Sequence, residues 1–489
     1  MDRIIIHWFR QDLRLTDNPS LYEAAKLGEV LPLYIFDNVN VDKNSIRGAA
    51  RWWLHQQLNS LNDSLDGKLC ILEGNALKLI PDLIANTGAS GIFWNRCYEP
   101  WRISRDKILK ENILPKNIEV KSFNGSLLWE PWEVLKKDGS PYKVFTPFYK
   151  RGCMCAVPPR SPISKPKSIK LYEAKDYSRS LSSLSLLTKK QWESNLAKHW
   201  NVGESTAQKH LHTFINTELQ DYKNNRDFPA VKSTSKLSVH LHWGSISPNM
   251  VWYETKKFQN IKNSNLSINK FLSQLAWREF SYSLLYYFPN LPNINLQTKF
   301  DNFPWRKDKN LLKSWQKGKT GYPIIDAGMR ELWETGYMHN RVRMISGSFL
   351  VKNLLMDWRD GAAWFWDTLV DADLANNSAS WQWIAGCGAD AAPFFRIFNP
   401  TRQSQRFDPN GLYIKKWVPE LSKLPTKYLH EPWLAPSDVL LNANVAIGRN
   451  YPHPIVDHVV TRKYALDCFK KIKNKKFKSK LFENRLESD

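Results

Sequence analysis

The chain has 489 residues, with 70 lysines and arginines against 47 aspartates and glutamates, giving a net charge of +23. That length supports two or three domains with enough core to fold without staples, and the positive excess favours a polyanion, nucleic acid first, through counterion release. The six cysteines (70, 97, 153, 155, 387, 468) show no Cys-x-x-Cys pair and no matching histidine spacing, which speaks against a disulfide framework or a structural zinc site.

The chain opens Met-Asp-Arg-Ile-Ile-Ile-His-Trp-Phe-Arg, an apolar run too short for a secretory leader. No apolar stretch is long enough to span a membrane, so a reduced, soluble, cytoplasmic protein is expected. Over the first 130 residues short apolar runs alternate with helical patterns. Strands are predicted at 4–9, 30–37, 69–73, 91–95 and 119–123, with helices that include 48–65 and 76–86. Strands spaced by helices imply βαβ units and a parallel, Rossmann-like sheet with ligands outside the carboxyl ends of its strands.

Residues 156–170 are rich in Pro, Ser and Lys and residues 178–186 in Ser and Leu, so both read as connection rather than core. From about 190 onward helical periodicity takes over. Val342, Ile345 and Phe349, for example, follow an i, i+3, i+7 stripe. The expected organisation is an α/β domain at 1–130, a connector at 131–189, an all-α domain at 190–470 and a basic tail at 471–489. Seven lysines between 470 and 480 read as a solvated helix end rather than a DNA grip. The segment from Gly386 through Gly388 to Ala391 fits the letters of the dinucleotide fingerprint. It follows a Trp-rich helical segment instead of a strand, which excludes that reading.

Thr234, Ser235, Lys236, Leu237 and Ser238, followed by a helical run from about residue 245, offer hydroxyls and backbone amides suited to a pyrophosphate; the same residues also make an ordinary capping sequence. Asp371 and Asp373, taken alone, read as solvated caps. Trp305, Trp358 and Trp381 stand among 22 tryptophans, whose usual role is to fill a core.

Several longer motifs change this balance: His7-Trp-Phe-Arg10, Gly336-Tyr-Met-His-Asn-Arg-Val-Arg-Met344, Asp371-Ala-Asp-Leu-Ala-Asn-Asn377, Trp381-Gln-Trp383 and Pro452-His-Pro-Ile-Val-Asp457. Together they resemble the photolyase/cryptochrome family of flavoproteins, most closely the class I photolyases that repair cyclobutane pyrimidine dimers. The likeness runs over nearly the whole chain. It implies an α/β antenna domain and a large all-α FAD-binding domain. Only Cys387 and Cys468 lie in the C-terminal half, too few for the four-thiolate iron–sulfur cluster that one bacterial branch of the family carries there.

By the same resemblance, the FAD phosphates are held by Thr234, Ser235, Lys236, Leu237 and Ser238, with Tyr222 and Arg278. Asp371, Ala372 and Asp373 lie along the flavin ring and ribityl side, and Asn377 faces flavin N5. A neutral amide there tolerates a reduced, anionic ring, whereas a carboxylate, as in plant cryptochromes, would repel it. Trp305, Trp358 and Trp381 match the family's relay, which carries an electron inward to photoreduce resting flavin.

For the lesion, Trp277 and Trp383 match the two indole walls, Met344 an apolar contact, Asn340 and Arg341 the pocket mouth, and Arg226, Arg396 and Gln403 contacts to the backbone or flanking the lesion. Enzymes for the six-four photoproduct carry two histidines where this chain has Asn340 and Met344, and His339 precedes that pair without replacing it. Gln274 stands where dimer photolyases carry glutamate; six-four enzymes carry Gln. Glutamine keeps a donor amide but supplies no proton, so lesion binding is expected to persist with reduced repair efficiency. Arg10, Asp12 and the segment Asn95-Arg-Cys-Tyr-Glu99 lie at expected strand ends, facing where a second chromophore would bind; Tyr98-Glu99 resembles the folate-binding acid of some class I enzymes, while a deazaflavin, an empty site and an ordinary loop acid stay open. The expected function is light-driven repair of dimers in DNA by a monomer with no membrane partner. The alternatives are a cryptochrome-type receptor, a six-four enzyme, or a light-independent DNA-binding protein.

Overall fold

The computed structural model describes residues 3–41, 44–188, 191–259, 265–391 and 393–486, without the side chains of 473–486. The lysines expected on the basic tail from 473 onward lie outside the residues whose side chains are described.

Five strands form one sheet: β1 Ile4–Phe9, β2 Glu29–Phe36, β3 Cys70–Glu73, β4 Gly91–Asn95 and β5 Glu119–Phe123. Their order is β3-β2-β1-β4-β5, and every pair is parallel. Parallel neighbours need crossovers, which α1 Pro19–Leu27, α2 Gly48–Ser64, α3 Ala76–Thr87 and α4 Pro100–Ile108 supply. Strands covered on both faces read as continuous apolar runs; β4 is buried at all five positions and β1 at five of six. Ile6, Trp8, Leu33 and Ile92 meet Ile80 and Leu83 of α3 in one core. That helix starts where the Asn75 side chain accepts from Leu77 N at 3.0 Å and stops at Gly88, whose φ of +66° closes it.

The polar residues at the carboxyl ends of the strands hold one another. Asp12 accepts from Arg10 N at 2.7 Å and from Asn95 Nδ2 at 2.6 Å, while the Arg10 guanidinium reaches Asp106 and the Asn95 carbonyl. The stretch 178–186, expected as connection, in part joins the core: Leu184 and Leu186 are buried, and Ser185 O accepts from Arg51 at 2.7 Å. Its leucines alternate with serines, so the apolar ones turn inward.

The chain divides into two compact units. One comprises Met1–Asn224, Ser233–Pro289 and Val370–Asn376; the other comprises Asn225–Lys232, Asn290–Leu369 and Asn377–Asp489. The first unit adds to the sheet the helices α5 Ser238–Trp243 and α6 Asn265–Tyr287. The second is built from helices, including α7 Asn340–Ser348, α8 Trp358–Thr368, α9 Leu374–Ala385 (whose first turn belongs to the other unit), α10 Pro400–Phe407 and α11 His458–Leu486. Val342, Ile345 and Phe349 are buried as their spacing predicts. The glycine-rich run after α9 is a helix stop. Gly386, with φ +86°, and Gly388 both donate to Gln382 O, at 3.1 and 3.0 Å.

Candidate functional site

In the first unit, the helical run expected from about residue 245 is Pro248–Lys256, and a short helix not expected, α5, precedes it and begins at Ser238 itself. Six residues are too few for periodicity to reveal. The loop before it turns through Lys236, at φ +51°. Lys236 and Ser238 are exposed, Thr234 and Ser235 half-buried, and Leu237 and Ala372 buried. Ser238 Oγ donates to Asp371 at 2.6 Å, and the buried Ser233 hydroxyl has no hydrogen-bond partner among the described residues. Tyr222 is buried edge-on to Phe214 and Phe271, with ring centres 5.6 and 5.4 Å away.

One turn beyond Ser238, His242 Nδ1 lies 3.1 Å from Asp373 Oδ2, and the Tyr282 hydroxyl of α6 donates to the same oxygen at 2.5 Å. The other oxygen caps α9, accepting from Asn376 N at 2.8 Å and Asn376 Nδ2 at 2.9 Å. Asp371 and Asp373 are thus buried and bonded, not solvated caps. Burial pushes the Asp373 carboxyl up, but the hydrogen bond and charge of His242, with Arg278 and Tyr282, outweigh it and bring it to about 2. Arg278, expected on the phosphate side, lies with its guanidinium 4.7 Å from the centre of the Tyr282 ring and pairs with Glu279 at 3.0 Å. The i, i+4 spacing on α6 therefore ties it to Asp373 through Tyr282.

Two residues expected at the lesion also sit on α6. Trp277 stacks face to face on Phe145, with ring centres 3.8 Å apart and planes 9° from parallel, and Tyr149 continues the stack at 5.8 Å. Gln274, one turn earlier, donates its amide nitrogen to Lys270 O at 3.2 Å and to Ser273 Oγ at 3.0 Å. The donor expected to face a pyrimidine is therefore occupied by its own helix.

In the second unit, Asn377 Nδ2 donates to Ala362 O of α8 at 3.0 Å, which leaves the amide oxygen as an acceptor. One turn on, Trp381 is buried edge-on to Phe365 at 5.0 Å and to Trp315 at 6.3 Å. Gly361 lets α8 approach it: a Cβ there would stand 2.2 Å from the Trp381 ring. Trp358, one turn before Gly361, is fully buried, with its Nε1 donating to Asn295 Oδ1 at 2.9 Å. Trp305 is half-buried against Phe303 at 4.3 Å.

Also in this unit, Arg226 and Arg341 lie 3.6 and 2.8 Å from Asp227, two cations on one carboxylate. Arg341 also covers the Phe407 ring at 4.3 Å. Asn340 is exposed, with its Nδ2 3.9 Å from Met344 Sδ. Trp383 and Gln403 are half-buried and Arg396 is exposed. His339 caps α7, its Nδ1 accepting from Arg341 N at 3.2 Å. Burial brings its imidazole down to about 4, so it is a neutral acceptor at neutral pH and not a proton donor. Among the described residues no group of three or more His, Cys, Asp or Glu side chains is placed to hold a metal, and no helix is long and apolar enough to cross a membrane.

Sequence reasoning missed His242, Tyr282, Asn376, Asp227 and Phe145. His242 and Tyr282 stand four residues beyond Ser238 and Arg278, and that helical spacing could have found them. Nothing in the sequence joins Phe145 to Trp277.

The family described as FAD binding domain of DNA photolyase matches residues 271–471, and that described as DNA photolyase matches residues 5–166. A deoxyribodipyrimidine photo-lyase of Agrobacterium fabrum is 47% identical over 474 residues, covering 96% of this chain and 98% of the relative. The chain belongs to the photolyase/cryptochrome family. Another relative of this photolyase-family chain, Cryptochrome-1 of Arabidopsis thaliana, is 39% identical over 92% of the chain and 68% of that protein. A crystal structure of a bacterial class III photolyase from Agrobacterium tumefaciens superposes with a TM-score of 0.93 at 46% identity, covering 97% of this chain and 98% of that one. The parallel sheet and the helical FAD-binding domain are the architecture of this family. The chemistry of the residues fits FAD: a partly exposed loop of hydroxyls and amides, with a buried Ser233 hydroxyl that has no hydrogen-bond partner among the described residues, suits a pyrophosphate.

Proposed function

We propose that this protein splits cyclobutane pyrimidine dimers in DNA under near-ultraviolet or blue light. Reduced FAD, when bound, supplies the photoexcited electron for the reaction. In this reading Thr234, Ser235, Lys236, Leu237 and Ser238, with Tyr222 and Arg278, hold its phosphates. Asp371, Ala372 and Asp373 border the ring and ribityl chain, with Asp373 acting as the fixed anion that orders His242, Tyr282 and α9. The relay is Trp381, Trp358 and Trp305, running from buried to half-exposed, and it serves reduction of the resting protein rather than repair itself.

The observation that carries this reading is Asn377. Its nitrogen is held by the Ala362 carbonyl, so it offers a neutral acceptor, which suits a protonated ring nitrogen and repels no reduced ring. The second reading, a photoreceptor, is favoured by the 39% identity to Arabidopsis Cryptochrome-1; the asparagine speaks against it.

On the DNA side, extrusion of a base costs a few kcal/mol, least for a damaged one, and stacking returns about 1–3 kcal/mol per base. In the first unit Trp277, held flat by Phe145, offers a face for a base to stack on, and in the second Trp383 and Met344 are the residues assigned to the lesion. Arg226, Arg341, Arg396, Asn340 and Gln403, all of the second unit, hold the strand. Asn340 and Met344 in place of histidines, and a neutral capping His339, support dimer repair over six-four chemistry. The 46% identity to a class III photolyase supports that class over class I. Residues 1–130 act as the antenna domain, 131–189 as connector, 190–470 as the flavin and lesion domain and 471–489 as a basic tail, in a cytoplasmic monomer. A second chromophore remains part of this reading, folate or deazaflavin. Glu99 already accepts from Gln11 at 2.8 Å and pairs with Arg102 at 3.6 Å, so it would have to exchange partners to bind a folate.

The test is anaerobic illumination of the reduced protein with a dimer-containing oligonucleotide, with dimers counted by chromatography. Light-dependent loss of dimers supports the lyase. Photoreduction of the protein without any loss of dimers supports the receptor.

A further inference from the structure

An ammonium group withdrawn from water needs several partners to offset the lost hydration. This chain buries one with a single partner. Lys352 lies in the π-helical turn Phe349–Asn353 with no exposed surface. Its Nζ donates to the main-chain oxygen of Arg396 at 3.1 Å and stands 5.5 Å from the centre of the Phe394 ring. No other hydrogen bond of this amine is present among the described residues. Burial, with the nearby Arg396 charge, lowers it to about 7.

The segment above it is a tight turn. Arg396 N donates to Pro393 O at 2.9 Å and Ile397 N to Phe395 O at 3.0 Å. Phe394 points inward, 5.2 Å from Phe303 and 4.9 Å from Phe469. Phe395 and the Arg396 side chain point outward and are exposed. The turn therefore has two anchors, the Phe394 ring and the Lys352 bond to the Arg396 carbonyl. The first is apolar and adds stability. The second buries an amine, stripped of its hydration, for one bond, and methionine would fill the same space without that penalty. Its return lies in where it holds the next side chain.

We propose that Lys352 is a positioning residue for DNA binding, which fixes the Arg396 main chain so that the exposed guanidinium meets a phosphate of the bound strand. The proposal rests on the reading that Arg396 contacts DNA.

The experiment measures affinity for a dimer-containing oligonucleotide by fluorescence anisotropy across a salt series. It compares the flavin-loaded wild type with Lys352→Met, Arg396→Ala and the double variant. Each single change is expected to weaken binding about fivefold and to lower the slope of log affinity against log salt by about 0.9. The double variant should bind no worse than Arg396→Ala alone. Lys352→Met should melt no lower than the wild type, keep its flavin, and show faster hydrogen exchange across 393–397. Wild-type binding by Lys352→Met alongside a loss in Arg396→Ala overturns the proposal alone. Additive losses in the double variant, or a lower melting temperature with a loss that persists in the Arg396→Ala background, overturn it by making Lys352 a general core residue. Equal binding by wild type and Arg396→Ala removes Arg396 from the interface and overturns the reading beneath the proposal.

Discussion

Replacing Asp373 with asparagine keeps its shape and removes its charge. Four donors converge on this carboxylate: His242 Nδ1, the Tyr282 hydroxyl, and the main-chain and side-chain nitrogens of Asn376. Its drop from 3.8 to about 2 corresponds to a preference of about 2 kcal/mol for the ionised form in the folded protein. An asparagine oxygen still serves Asn376, but its NH2 group then faces His242 and Tyr282. The imidazole can answer with its other tautomer and the phenol by turning, so two charge-assisted bonds become two neutral ones. Arg278 also loses a neighbouring anion and keeps only Glu279. The expected loss at neutral pH is about 2–3 kcal/mol. Denaturant unfolding followed by flavin release would measure it, with flavin retained after desalting as a second reading. A depressed folded-state pKa contributes stability that is present above the unfolded value and lost as pH falls through the folded one. The gap between wild type and variant should therefore narrow from about pH 4 towards about pH 2. A variant within about 0.5 kcal/mol of wild type at neutral pH, or a gap indifferent to acid, would refute the reasoning.

Gln274→Glu should raise the yield of dimers split per absorbed photon, because a carboxyl group can supply the proton that an amide lacks; an unchanged yield by chromatography counts against it. Trp381→Phe should slow light-driven reduction of the oxidised protein by more than about tenfold while leaving repair by the chemically reduced protein intact, as read from bleaching of the flavin band. Gly361→Ala, whose Cβ would meet the same ring at 2.2 Å, should cost about 1–3 kcal/mol of stability in thermal melts. Gly244→Ala combines φ +71° with a Cβ 2.2 Å from Gln11 O; a loss of at least about 2 kcal/mol and weaker flavin retention are expected, since this residue closes α5. Arg341→Gln leaves Asp227 with Arg226 alone and should lower the salt slope of DNA binding by about 0.9.

The sheet was legible because its inner strands are buried on both faces and so appear as unbroken apolar runs between turn residues; β1 and β4 fall where those runs stand, whereas β5, Glu-Val-Lys-Ser-Phe, is only partly buried. The stripe of Val342, Ile345 and Phe349 was legible for the matching reason, a helical period with one buried face. The start of α5 was not, since six residues hold less than two turns. The orientation of Gln274 was hidden too, because a choice between facing a ligand and bonding its own helix is made by a rotamer and leaves no trace in spacing. Asp373 looked like a surface cap because its partners, His242 and Tyr282, arrive from helices 131 and 91 positions away along the chain. Leu184 and Leu186 were masked by the serines around them.

The stretch from 145 to 160 also supplies a surface. Phe145 lies flat against Trp277, and further along the same segment Val157 O accepts from Trp129, Pro159 O from Tyr253 and Arg160 O from Asn249. A tether need only be long enough; this stretch is also held at Phe145, Val157, Pro159 and Arg160. Insertions or deletions between 145 and 160 should behave like a substitution at the indole itself. Fusions or grafted loops placed there would trade away the flat seat of Trp277 for the freedom gained.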